Sequence, residues 1–320
     1  MGAAAVNSEA AAASAPLVSV IIPTFNRAGV LYYALHSILN QTLQDFEVFV
    51  VDDASTDATP ELIEYFNDPR IHYIRFSTNK KAAAARNAGM QRARGKYIAF
   101  LDSDDEWLPS KLEKQVACLE ALSDEWGCCY TGAFVNKVGG LTRHRIYRPR
   151  KSGDLVRDLL MGNFVIWTPT FMFRRSCLDE IGLMDERLVR SQDVDFYIRL
   201  LSRYKIASIS EPLANIFLVL NKNLARVAAE SRAILLAKHG ELIDSLGFFS
   251  SRYVYSMSDM IQAEAFMSDG DMGSAFRSFR RAVARNPFMP VRRYAAFSKR
   301  VVSALLGSGE GGAAPQDKVS

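Results

Sequence analysis

Five residues, Asp102-Ser103-Asp104-Asp105-Glu106, put four carboxylates on one short stretch of chain. Crowded hard oxygen donors suit Mg²⁺ or Mn²⁺ carrying a diphosphate, and with no cation their mutual repulsion is unfavourable. An isolated D-x-D serves equally well as an acidic turn before the helix that begins near Pro109. The residues ahead of it favour the first use. Tyr97 to Leu101 is a continuous apolar run, as in a strand buried on both faces of a parallel sheet, so the acids stand at its carboxyl end. Ligands of open α/β sheets bind at that edge.

Two more polar clusters follow apolar runs in the same way. Pro23-Thr24-Phe25-Asn26 follows the strand that opens at Leu17, and Asp52-Asp53-Ala54-Ser55-Thr56-Asp57 follows Phe46 to Val51. Each alone reads as turn or cap chemistry, with Asn26 shaping a turn and Ser55 or Asp57 capping a helix from Pro60 to Phe66. Repetition at one end of successive strands is harder to assign to capping. Asp53 can accept the ring N–H of a uracil while backbone around Thr24 and Phe25 walls the base. Neither G-x-x-x-x-G-K-[ST] nor G-x-G-x-x-G occurs, so a metal must replace the glycine cradle for phosphates. Asp104, and more weakly Asp102, are placed to hold it. Lys81 and Arg86, beside Asn87, offer positive charge to the phosphates or ion pairs to the acids.

The elements that position these residues alternate as in a doubly wound sheet. Helical spacing marks Gly29 to Asn40, Ile71 to Phe76 reads as a third strand, and the alanine-rich Lys81 to Arg94 reads as a helix broken by Gly95. After Leu122 the pattern is mixed, with strand-like runs at Cys128 to Val135, Ile166 to Phe173 and Ile206 to Ile209. Asp193 to Tyr204 is an amphipathic helix with acids in its first turn. From Asn223 on, helical segments near 224–246, 250–268, 271–286 and 290–306 are divided by Gly247, Gly270 and Pro287/Pro290. The expected organisation is a tail at 1–16, an α/β domain at 17–220, a helical region at 221–306 and a disordered tail at 307–320.

With 320 residues, 49% hydrophobic and 23% charged, the chain can bury a full α/β core, and no apolar run approaches the roughly 20 residues of a membrane span. The opening residues lack the basic start and apolar centre of a signal peptide. Cys118, Cys128, Cys129 and Cys177 have no C-x-x-C spacing and are expected to be reduced thiols in the cytoplasm. The four histidines are scattered without ligand spacing. The net charge is +4, yet from Met272 to Gly309 there are eight basic residues and no acid. With Phe276, Phe279, Phe288, Tyr294 and Phe297 interleaved, this tract suits an anionic membrane surface or nucleic acid, and otherwise a solvated basic face.

The elements VSVIIPTFNR, FEVFVVDDASTD, AARNAG, GKYIAFLDSDDEWLP and SQDVDFYIRL, in this order over Val18 to Tyr204, resemble glycosyltransferase family 2, with its GT-A fold. The resemblance implies inverting transfer of a sugar from a nucleotide-sugar, usually a UDP-sugar, to a glycan or lipid-linked acceptor in surface polysaccharide or glycolipid biosynthesis. It implies Mn²⁺ or Mg²⁺ on Asp104 and Asp102, base recognition by Asp53, and nucleotide-sugar contacts at Pro23, Thr24, Phe25, Asn26, Arg86, Asp102 and Ser103. Asp193 stands where the family places its catalytic base, although the usual Glu-Asp pair is Gln192-Asp193 here. Lipid-linked acceptors favour membrane over nucleic acid for the tract at 272–306, with the enzyme in the cytoplasm at the inner face of the membrane. Trp167 either stacks on an acceptor sugar or belongs to the core. The Q-x-x-R-W motif of processive synthases is missing. Competing readings are a sugar-nucleotide pyrophosphorylase, whose glycine-rich basic start is absent, and a catalytically silent nucleotide-sugar-binding or scaffold protein.

Overall fold

The computed structural model describes residues 15–137, 145–218 and 225–287. The chain forms two compact units, Met1–Val219 and Leu220–Ser320. In the first, β1 (Val18–Thr24), α1 (Ala28–Leu39), β2 (Phe46–Asp52), α2 (Thr59–Phe66), β3 (Ile71–Arg75), α3 (Lys81–Arg92) and β4 (Tyr97–Phe100) alternate without exception. Next come β5 (Glu106–Trp107), α4 (Lys111–Glu120), β6 (Trp126–Lys137), β7 (Arg145–Tyr147), α5 (Val156–Leu160), β8 (Phe171–Arg174), α6 (Leu178–Ile181), α7 (Gln192–Leu201) and β9 (Lys205–Leu218).

These strands make one sheet in the order β3-β2-β1-β4-β8-β6-β9-β5, with β7 on β6. The four strands β1 to β4 are mutually parallel, and β8 is antiparallel to both β4 and β6. Both faces are covered, which is why these strands read as largely apolar runs. Ile21, Phe49, Val51, Ile98 and Phe100 pack into the core that includes Phe196 of α7 and Ala85 of α3. Their neighbours Val20, Ile22, Val48, Val50 and Ala99 pack into the opposite core with Leu35 of α1 and Leu112 of α4.

Two strand expectations are corrected. Only Phe171–Arg174 of the run from Ile166 is strand, because Thr168–Thr170 is a 3₁₀ turn around Pro169 whose carbonyl accepts the Trp107 indole N–H at 2.7 Å. The run at Ile206 extends to Leu218, its pairing with β6 shifting register near Pro212, where a proline interrupts the alternation that marks a strand.

The second unit contains α8 (Ala225–Lys238), α9 (Gly240–Ser245), α10 (Phe248–Ser268) and α11 (Met272–Arg285). Gly247 and Gly270 take φ of +89° and +82°, which ends one helix and redirects the chain into the next. Met257, Met260, Ala263, Ala275 and Ala282 form the core of the α10/α11 hairpin. The helix expected at 290–306 and the tail at 307–320 lie outside the described residues, as do residues 1–14 of the expected amino-terminal tail. All four cysteines are unbridged. Among the described residues no helix is long and apolar enough to cross a membrane.

Candidate active site

The carboxyl ends of β1, β2 and β4 lie side by side, with Thr24 level with Asp52 and Ile21 level with Phe100. The loops that follow are tied to one another. The Asp53 N–H donates to Thr24 O at 2.9 Å, the Asn26 N–H to Ser55 Oγ at 2.9 Å, and the Thr56 N–H to Asn26 Oδ1 at 2.7 Å. Asp57 accepts from the Ala28 N–H at 2.8 Å and from Thr59 Oγ1 at 2.6 Å, so it secures the starts of both α1 and α2. Asp53 is buried, and its two oxygens accept the backbone N–H groups of Lys80 and Lys81 at 2.5 and 2.8 Å. Each oxygen keeps a lone pair for a further donor. Asn26, Ala54, Lys81 and Ser191 all adopt positive φ, between 51° and 74°. Asn visits the left-handed region readily, whereas Ala54, Lys81 and Ser191 hold it at a steric cost.

Small residues let α3 bring its arginine beneath this edge. Ala84, Ala85 and Ala88 are buried, and a Cβ on Gly89 would come within 2.6 Å of the Ile21 side chain on β1. The close approach leaves Arg86 only 5% exposed, with Nη2 2.5 Å from Asp102 Oδ1. Asn87 anchors the next loop by accepting from the Met184 N–H at 2.9 Å and donating to Met184 O at 3.0 Å. A turn closed by Asp105 N–H to Asp102 O, 3.0 Å, folds the acids back on themselves. Asp104 pairs with Arg27 at 2.6 Å. Burial raises the Asp104 pKa and neighbouring Asp102 adds to the rise, against the opposing pull of Arg27. Asp105 serves the scaffold, accepting the Phe217 N–H from β9 at 2.8 Å, and burial pushes it up to about 8.

Asp193 lies at the second position of α7, after Ser191, and so is not the cap of that helix. Burial raises its pKa, Arg86 lowers it and Asp102 raises it again, which sets Asp193 within the field of both groups at the sheet edge. Asp195 is fully buried in an ion pair with Arg199 at 3.0 Å.

Among the described residues, six buried side-chain nitrogen or oxygen atoms lack a hydrogen-bond partner. Five belong to Thr24 (Oγ1), Asn79 (Oδ1), Arg86 (Nε and Nη1) and Gln192 (Oε1). Thr24 ends β1, Arg86 reaches Asp102 from α3, Asn79 precedes the amides that hold Asp53, and Gln192 precedes Asp193. Buried polar groups are almost always paired, so these atoms call for water or a polar ligand that offers both donors and acceptors.

The structure thus brings together Pro23, Thr24, Phe25, Asn26, Asp53, Arg86, Asp102, Ser103 and Asp104, with Asp193 in electrostatic reach. Phe25 is 44% exposed and Ser103 is buried. Lys81 contributes its backbone N–H and has an exposed side chain. Trp167 is half-buried against the core. Arg27 and Asn79 were not among the residues picked out by sequence. The only signal for Arg27 was its place in the VSVIIPTFNR element, where a basic residue after a turn resembles any solvated one.

No group of three or more His, Cys, Asp or Glu among the described residues is placed to hold a metal. Asp102 and Asp104 offer two carboxylates, both now neutralised by arginines. That donor set fits a cation that completes its shell with diphosphate oxygens and water, the coordination Mg²⁺ prefers, and not a cage built by protein alone.

Comparison with known proteins places this architecture. The mannosyltransferase PcManGT from Pyrobaculum calidifontis, in complex with GDP-Man and Mn²⁺, superposes with a TM-score of 0.56 at 18% identity, covering 92% of this chain and 87% of that one. The fold is that of a GT-A glycosyltransferase. The model for glycosyl transferase family 2 matches residues 19–182, and the chain belongs to that family. It is 34% identical to TuaG of Bacillus subtilis, a relative named for teichuronic acid biosynthesis, over 209 residues covering 64% of this chain and 81% of the relative. It is 42% identical over 104 residues to WfaP of Escherichia coli, a UDP-Glc:alpha-D-GlcNAc-diphosphoundecaprenol beta-1,3-glucosyltransferase, covering 32% of this chain and 41% of that one. The protein is a glycosyltransferase.

Proposed function

We propose that this enzyme moves a sugar with inversion from a nucleoside-diphosphate sugar, a UDP-sugar by preference, to a glycan or lipid-linked acceptor in surface polysaccharide or glycolipid synthesis. The catalytic domain is assigned to residues 17–220. The observation that carries the reading is the set of unpartnered buried groups on Thr24, Asn79, Arg86 and Gln192 around a carboxylate-lined strand edge. The chemical names of TuaG and WfaP support the pathway class and a lipid-linked acceptor.

In this reading Asp53 accepts the ring N–H of the base, and the backbone from Pro23 to Asn26 with the Phe25 ring walls it. Asp102 and Asp104 would hold Mn²⁺ or Mg²⁺, which would supply positive charge to the diphosphate oxygens when bound. Arg86 directs its unpartnered Nε and Nη1 to the donor, and Ser103 lines the same turn. Asp193 takes the proton from the acceptor hydroxyl as that oxygen bonds to the anomeric carbon. The bond to the diphosphate breaks and its electron pair leaves with the nucleotide. A carboxylate raised above its ordinary pKa is the stronger base for this step. The reaction is placed in the cytoplasm at the inner face of the membrane, with the basic tract at 272–306 in peripheral contact with anionic lipid. Residues 288–306 of that tract lie outside the described residues.

The test is UDP release from a panel of UDP-, GDP- and dTDP-sugars with Mn²⁺ or with EDTA, in the presence of a membrane-lipid extract. Metal-dependent release with one donor is expected. Asp193→Asn should keep donor binding and lower turnover by about 10²- to 10⁴-fold, the usual contribution of a general base. Asp104→Ala should remove the metal dependence of donor binding. Wild-type turnover in Asp193→Asn would refute the base assignment, and donor binding with no turnover in any lipid extract would favour a silent binder.

A further inference from the structure

The α10/α11 hairpin is charged unevenly along its length. The helices run antiparallel, with Arg252 Nη2 on Ala284 O at 2.9 Å, Ser256 Oγ on Ala282 O at 2.8 Å and Arg281 Nε on Asp259 Oδ1 at 3.1 Å. The half near Gly247 therefore carries Arg252, Arg280, Arg281 and Arg285 against Asp259, whereas the half near Gly270 carries Arg277 against Glu264, Asp269 and Asp271. On the flanking helices, Glu241 and Asp244 subtract from the basic end, Lys238 adds to it, and Asp244 is engaged by the Tyr255 hydroxyl at 3.1 Å.

Two large apolar side chains stand at this same basic end. Phe248 and Phe249 open α10 at 68% and 85% exposure, their rings edge to face at 5.4 Å, with the Arg252 guanidinium 5.2 Å from the Phe248 ring centre. The chain leaves α11 here too. Beyond Pro287 its sequence adds Arg292, Arg293, Lys299 and Arg300 before any acid.

We propose that this end of the hairpin docks on an anionic lipid bilayer, with Phe248 and Phe249 inserted among the acyl chains and the surrounding arginines on headgroup phosphates. Exposed phenylalanines gain by leaving water, and basic side chains near an anionic leaflet add an attraction that salt weakens. A second copy of the chain is a poorer occupant, because a two-fold contact would bring one basic end against another. The inference deepens the lipid-linked acceptor reading by putting the enzyme where such an acceptor lies, but the docking rests on the hairpin itself.

The test is co-sedimentation of the full chain with vesicles of phosphatidylcholine alone and of phosphatidylcholine mixed with phosphatidylglycerol, at low and high salt. Donor binding and oligomeric state are measured in parallel. Binding to the mixed vesicles alone, weakened by salt, is expected, and Phe248→Ser/Phe249→Ser should weaken it about tenfold or more. Both rings are exposed, so the variant's melting temperature and donor binding should stay unchanged. Undiminished vesicle binding by this variant, equal binding to neutral vesicles, or no vesicle binding at all would overturn the proposal. So would a wild-type dimer that the variant loses. A chain that binds donor but no vesicle loses the docking inference alone, and one that binds vesicles but no donor loses the transferase reading alone.

Discussion

At the sheet edge Asp102 and Asp104 are each held by one arginine, Arg86 at 2.5 Å and Arg27 at 2.6 Å, while in the helical hairpin Asp259 is held by two, Arg281 at 3.1 Å and Arg285 at 2.9 Å. The hairpin carboxylate has a guanidinium at each oxygen, although Oδ2, the sixth of the unpartnered atoms, meets Arg285 only as an ion pair. Its arginine side chains are 49% and 42% exposed, and the unused N–H groups of Arg281 reach Gln262 and Ser278. Arg86 is different, with its side chain 6% exposed and Nε and Nη1 bonded to nothing. A buried acid satisfied by its neighbours is a structural staple. A buried guanidinium with donors to spare suits the proposed nucleotide-sugar site.

Arg86→Gln should break this contrast most forcefully. It keeps much of the side chain's bulk and removes the charge, so donor binding or turnover should weaken by roughly 2–4 kcal/mol, the scale of a preorganised donor at a reacting charge. Titration with the donor nucleotide and a turnover assay would read it, and an unchanged result would mean that the spare N–H groups serve no ligand.

Lys111 is a third buried charge, and it pairs with no acid among the described residues. It is fully buried, its Nζ 2.5 Å from Gln115 Oε1 and 3.8 Å from the Trp107 ring centre. Burial lowers its pKa to about 7, although the ring face favours the charged form. Below pH 7 it is charged in both the folded and unfolded states, and the folded chain bears the full desolvation cost. Between about 7 and the ordinary lysine value only the unfolded chain holds the proton, so stability should rise with pH across that window by up to ~1.4 kcal/mol per unit. Denaturant unfolding at pH 7 and pH 9 measures the slope. Lys111→Met should abolish it and stabilise the fold at pH 7.

Asp259→Ala carries the smallest expected effect. Its arginine partners are half-exposed and can turn to water, so the loss of the staple should lower stability by about 1 kcal/mol. Donor binding should not change. A matching loss of donor affinity would mean that the two clusters are coupled, and the contrast between them would fail.

Much of the sheet was legible because a strand buried on both faces is mostly apolar. The runs ending at Thr24, Asp52 and Phe100 show it, and the polar clusters after them mark the ligand edge in any parallel sheet. The alanines around Arg86 likewise marked a helix, while its tight packing on β1 through Gly89 came only from the structure. Other features left no local trace. Glu47 breaks the apolar run of β2 yet is 2% exposed, because Ser19 and Arg94, distant in sequence, bond its two oxygens at 2.6 and 2.9 Å. Lys111 at the start of an amphipathic helix looks solvated until the Trp107 ring covers it.

The sequence by itself determined the alternation of strands and helices, the edge where acids gather and the uneven charge of the carboxyl-terminal helices, since each follows from periodicity or composition within a few residues. Only the tertiary structure decided which arginine meets which aspartate, that Asp105 belongs to the scaffold while Asp104 faces the site, and which buried polar atoms are left without a partner. Those outcomes depend on groups brought together across long stretches of chain, such as Asp105 and the Phe217 N–H, 112 residues apart. Hydrogen bonding and burial are properties of neighbours in space, and no local pattern of residue types encodes them.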